Sequence, residues 1–205
     1  MANNSSLVTT GKPKVGGSVY RAPKGTQPPT SATATLAETY KNMGYISQDG
    51  VSNTISWDSE TVKEWGGGDV IAFEDNKSDT FKMKFIESLN PEVLKAVHGD
   101  SNVTGTDAST TTGLSVAVNG DEHEEHVWVI DMILKGGIFK RIVIPCGTVS
   151  AVEEIVYKKN EAIGYNVTLK ATLDSSSNYH YEYMQKPSTT GDDEGNDNPG
   201  QGETP

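Results

Sequence analysis

The sequence predicts a mainly β chain with one flanking helix over about residues 90–98, an extended N-terminal arm and a disordered acidic C-terminal tail. Three observations carry this. Apolar and polar residues alternate in several short runs, one stretch alone has helix start and stop signals, and both ends are rich in Gly, Pro, Ser and Thr. The 205 residues suffice for one core plus extensions, and hydrophobic residues make up only 34%. No apolar run approaches the length of a membrane helix, and the N-terminus lacks the apolar stretch of a secretory leader. Cys146 is a lone cysteine, so no intrachain disulfide forms and a reducing compartment is the simpler expectation.

Residues 1–35 read as the arm. Their one apolar stretch, Val15 to Tyr20, predicts a short strand, and Pro28-Pro29 bar helix or central strand beyond it. Lys12, Lys14, Arg21 and Lys24 give residues 1–37 a charge of +4 with no acid, whereas residues 188–205 carry −5 with no base. The body between them holds the remaining −10. A basic arm on an acidic body is either a handle for a second copy of the chain or a solvated end.

Residues 36–187 read as the β domain. Leu36 to Met43 has weak helical character, cut short by Thr39 and Gly44. Val51 to Ile71 reads as a long loop, with Gly66-Gly67-Gly68 as its turn. Phe81, Met83 and Phe85 alternate with Lys82 and Lys84 in a strand. In Leu89 to Gly99, Asn90 suits the N-cap, Pro91 the first helical position, Glu92 the positive end of the dipole and Gly99 the C-terminal stop. Leu89 and Leu94 are spaced as a hydrophobic staple, and Val93, Leu94 and Val97 form a stripe to lie on the sheet. His126 to Leu134 and Ile138 to Ile144 are apolar on both faces and joined by Lys135-Gly136-Gly137, which suits a tight turn. Such strands need cover on both sides, from a second sheet, a helix or a neighbouring subunit. Ile163 to Leu173 alternates over its whole length. Tyr179, Tyr181 and Tyr183 repeat the pattern after a turn, predicting a hairpin or meander.

Few residues carry a chemical signal. In Asp121-Glu122-His123-Glu124-Glu125-His126 the histidines are three apart, where a metallohydrolase helix needs four, so an acidic loop is expected. His98 reads as a dipole partner at a helix end and His180 as a surface residue. Gly66-Gly67-Gly68-Asp69 lacks the Lys and Ser/Thr of a phosphate loop, and Asp58, Glu60 and Glu64 cluster around Trp57 and Trp65 without a patterned partner. No catalytic residue, cofactor site or metal site is expected. The acidic body and an arm with only Tyr20 for stacking argue against nucleic-acid binding.

Several stretches resemble the major tail tube proteins of long-tailed, non-contractile phages, particularly those infecting actinobacteria. They are Thr10 to Thr26, Gly44 to Val51, the Trp65-Gly66-Gly67 turn, the helix after Asn90-Pro91, and Ala162 to Leu169. The resemblance implies a β-sandwich or half-barrel subunit with a flanking helix. It implies hexameric rings that stack head-to-tail into a tube for DNA delivery, built in the host cytoplasm and kept in the virion. Tail terminator, tape measure and baseplate or tail-tip proteins would be partners, and DNA would pass without specific binding. Asp58 and Glu60, alternating with Ile55 and Trp57, are then the candidates for an acidic bore. Two other classes compete: a monomeric Ig-like or carbohydrate-binding module using Trp57, Trp65, Tyr179, Tyr181 and Tyr183, and a zinc hydrolase using His123, His126 and Cys146.

Overall fold

A computed structural model describes residues 3–14 and 17–187; the acidic segment 188–205 and part of the Val15 to Tyr20 stretch lie outside the described residues. In chain order the strands are β1 (Gly11–Pro13), β2 (Val19–Pro23), β3 (Lys41–Asn42), β4 (Ile46–Lys63) and β5 (Asp69–Phe85). Helix α1 (Pro91–His98) follows, then β6 (Val103–Thr104), β7 (Ser115–Val116), β8 (His126–Leu134), β9 (Ile138–Val152), β10 (Tyr165–Ala171) and β11 (Tyr181–Gln185). The chain is mainly β, as expected. Nine strands form one antiparallel sheet ordered β3-β2-β8-β9-β10-β5-β4, with β1 added to β8 and β11 to β9; β6 and β7 pair separately.

That sheet must curl. Its edge strands β3 and β4 are joined by Met43, Gly44 and Tyr45 alone, which reach about 14 Å at most. A flat path across seven strands would separate the edges by about 29 Å. The concave side holds the main core, where Phe81, Met83 and Phe85 meet Val167, Leu169, Trp128 and Ile144. Helix α1 caps this core with Val93, Leu94, Ala96 and Val97; each fully buried aliphatic side chain contributes about 1.5–3 kcal/mol. The Asn90 side chain accepts from the Glu92 N–H at 3.0 Å, and the Gly99 N–H donates to the Lys95 carbonyl at 2.8 Å. Leu89 departs from the expected staple: at 70% exposure it does not close over Leu94.

The opposite face of β8 and β9 is covered by the chain's own N-terminal region. Val127, Val129 and Val143 form a second cluster with Ala22 and Tyr40, against which Leu36, Tyr181 and Tyr183 pack. Arg141 holds this cover in place. It pairs with Asp131 through two 2.7 Å contacts and donates Nη1 to the carbonyls of Ser31 (3.1 Å) and Ala34 (2.7 Å). The segment after β2 therefore lies against the sheet, and both apolar faces are buried within one chain.

Three local expectations are corrected. Leu36 to Met43 makes only a turn, closed by the Tyr40 N–H to the Ala37 carbonyl (3.0 Å), before entering β3. β10 and β11 do not form a hairpin; they pair one after the other along the same side of β9, which at 15 residues is long enough for both. The long loop expected over Val51 to Ile71 is instead the β4–β5 hairpin, turning at Glu64 to Gly68. The β8–β9 turn is as expected, with Gly136 and Gly137 at φ of 82° and 75°.

Candidate assembly surfaces

Beyond the pair Ile55–Asp79, β10 ends and the β4–β5 hairpin continues as a two-stranded ribbon. Eight further residues of β4 carry it about 26 Å from the body. A register shift between Ser56 and Asp58, with Asn76 at φ 50°, bends the ribbon at its base. On one face Asp58 stands opposite Asp75, Glu60 opposite Phe73, and Val62 opposite Ile71. Val62, Trp65, Val70, Ile71 and Phe73 leave an exposed apolar patch over the distal half. A bare two-stranded ribbon is marginal in water, and Asp58 facing Asp75 weakens it further. Its features make sense as a surface awaiting cover.

Charge on the ribbon is as one-sided as its apolar patch. Lys63 pairs with Asp69 and Lys77 with Glu74, but among the described residues Asp58, Glu60, Glu64 and Asp75 have no ion pair. The sequence-derived candidates Asp58 and Glu60 thus stand together, exposed and uncompensated, on one face. The outer edge of β4, 18 residues long, has no strand paired to it among the described residues. Open edges of that length are normally covered.

The ribbon base is fixed by a buried cluster that corrects the reading of His180 as a surface residue. Asp79 is buried; its carboxylate accepts from Asn53 Nδ2 at 2.6 Å and pairs with the His180 ring, which packs edge-on to Phe81. The Tyr179 hydroxyl donates to the Lys77 carbonyl at 3.0 Å beside it.

Of the four basic arm residues, three are engaged by acids of the same chain. Arg21 is 5% exposed, 2.7 Å from Asp100 and 3.7 Å from Glu92. Lys24 lies 3.0 Å from Glu125, and Lys14 lies 3.8 Å from Asp131 over the Phe139 ring. Lys12, in β1 opposite Ile133, makes no ion pair among the described residues.

His123, His126 and Cys146 do not converge as a zinc-hydrolase reading requires. The side chains brought within 4.8 Å are instead Asp100, Glu124 and His126. His126 Nε2 meets Asp100 at 3.2 Å and Nδ1 meets the Glu124 carbonyl at 3.0 Å, while the Arg21 guanidinium supplies positive charge. Burial alone would raise the Asp100 carboxyl, but the His126 hydrogen bond and Arg21 outweigh it and hold it at about 2. Burial and the neighbouring Glu125 push the Cys146 thiol up, away from a reactive thiolate. The aromatic set of the binding-module reading is divided: Trp57 and Trp65 are on the ribbon, while Tyr181 and Tyr183 stack on the sheet's second face.

Comparison with known families gives a match over residues 1–191 to the model described as Phage tail tube protein. Comparison with curated proteins finds no match. No described helix is long and apolar enough to cross a membrane.

Proposed function

We propose that this chain, which belongs to the phage tail tube protein family, assembles into stacked rings of six whose bore conducts DNA into the host. Membership makes it a structural component of the virion; the rings, their number of subunits and DNA passage are our reading. The observation that carries it is the β4–β5 ribbon, an apolar and acidic projection beside an 18-residue edge that no strand among the described residues pairs. A monomer keeps both as liabilities, whereas a polymer buries the patch and pairs the edge. Asp58, Glu60 and Asp75, toward the base of the ribbon, would face the bore while the apolar distal end is covered, and acidic walls there keep the phosphate backbone from adhering. Lys12 is the arm cation left for contacts between subunits. Terminator, tape measure and tail-tip proteins are the proposed partners at the tube's ends.

Negative-stain microscopy of the concentrated chain, with and without tail-tip complex, tests the assembly: hollow tubes of uniform width are expected, and a monomer under both conditions would refute it. Asp58→Lys with Glu60→Lys should still form tubes but impair DNA delivery. Full delivery through such tubes would remove these residues from the bore.

A further inference from the structure

We infer that Asn119, in the loop before β8, is a site of spontaneous deamidation. Its side-chain amide is lost by reaction with the Gly120 nitrogen and water, and the change frees the loop from the end of helix α1.

Asn119-Gly120 is the one Asn-Gly pair in the sequence. Deamidation joins the main-chain nitrogen of the following residue to the Asn Cγ, so it needs a free N–H, an open approach and a polarised carbonyl. Gly120 meets the first two. Among the described residues its N–H donates to nothing, and both residues are exposed. No atom lies within 4 Å of where a Gly120 Cβ would stand, and a glycine backbone turns most freely toward the ring-closing geometry. Asn119 meets the third. Its Oδ1 accepts from the Asp121 N–H at 3.1 Å and from Asn102 Nδ2 at 3.0 Å. Two donors aimed at one oxygen stabilise the negative charge that gathers there as nitrogen adds to Cγ. The Asp121 contact also folds the side chain back along its own backbone.

The chemistry balances with water as the sole added reactant. The Gly120 nitrogen gives its proton to solvent and bonds to Asn119 Cγ, the Cγ–Nδ2 bond breaks, and Nδ2 leaves as ammonia. Water then opens the five-membered ring at either carbonyl. One opening leaves aspartate. The other leaves isoaspartate, which carries the chain through the former side chain and lengthens the backbone by one carbon.

The same amide ties the loop down. Asn119 Nδ2 donates to Asn102 Oδ1 at 3.0 Å and to the Asp121 carboxylate. Asn102 in turn donates to the His98 carbonyl at 2.7 Å, at the end of α1, and its own carbonyl accepts from the Ala117 N–H at 2.9 Å. A carboxylate at position 119 loses both Nδ2 donations and sets a second negative charge beside Asp121, which repels it. The link between loop and helix end is thereby weakened from the loop's side.

The test ages the purified full chain at neutral and mildly alkaline pH and follows it by peptide mass. The peptide holding Asn119 should gain one mass unit, faster at the higher pH because the attacking nitrogen must lose its proton. An isoaspartyl methyltransferase with labelled S-adenosylmethionine should methylate the aged chain. Asn119→Gln should abolish the gain, and Gly120→Ala, which the open space admits, should slow it several-fold. Aged chain and Asn119→Asp should both be cut after Glu122, which is exposed, several-fold faster by a glutamate-specific protease than fresh chain. A mass that stays fixed at this peptide in the folded chain would overturn the inference, most plainly if the same peptide gains the unit once unfolded in urea. Deamidation without faster cutting after Glu122 would overturn the release of the loop.

Discussion

Replacing Arg141 with Met should cost this chain a large part of its stability and release its N-terminal cover. The guanidinium is buried, makes two 2.7 Å contacts to Asp131 and binds the carbonyls of Ser31 and Ala34. Breaking a buried ion pair from one side costs about 3–5 kcal/mol because a charge is left uncompensated. Lys14, at 3.8 Å and partly exposed, retains some compensation for Asp131, which places the loss near the lower figure. On a domain of this size about 3 kcal/mol lowers the melting temperature by roughly 6–12 °C. Thermal and urea unfolding measure the loss, and limited proteolysis between Ser31 and Leu36 reports release of the cover. Adding Asp131→Leu removes the stranded charge and should recover much of the stability while cleavage persists. A loss under about 1 kcal/mol from Arg141→Met, with residues 31–36 still protected, would refute the reasoning.

Two further outcomes follow from the core and the ion-pair cluster. A methyl group at Gly147 would stand 2.8 Å from Trp128 Cδ1, 3.2 Å from Ile144 Cγ2 and 3.3 Å from Leu169 Cδ1, so Gly147→Ala should destabilise by about 1–3 kcal/mol in urea unfolding. Asp100, held at about 2 against an unfolded value near 3.9, stabilises fully above about pH 4. That contribution falls away as pH drops through 2, and melting curves of Asp100→Asn should lack this acid-dependent part.

Local chemistry was legible in the sequence and distant partnership was not. Asn90-Pro91 and Gly99 bounded α1 because capping is decided within a few residues. Gly136-Gly137 and the alternation from Tyr165 to Ala171 located β9's start and β10 for the same reason. The β4–β5 hairpin escaped because its ribbon is exposed on both faces, so no apolar period marks it. Arg21 gave no sign of burial, since its partner Asp100 comes 79 residues later. The second face of β8 and β9 was correctly read as needing cover, but that Leu36 and Tyr40 supply it depends on Arg141 reaching back to Ser31. Of the surface features, Asp58, Glu60 and Trp65 stood out in the sequence, whereas Leu89 read as a staple over Leu94 and only the structure shows it exposed.

The clamp between Arg141 and Ser31 also sets a schedule for synthesis. The two residues are 110 positions apart, which a ribosome covers in about 5–20 s. Through that interval the segment from Gly25 to Tyr40 has neither β8 nor β9 to lie on, and the ribbon has already emerged with its apolar end bare. A newly made chain is therefore most vulnerable to proteases and to premature association before its last third appears. A host chaperone that held the nascent segment would act in this window, and slow codons placed after Leu134 would lengthen it.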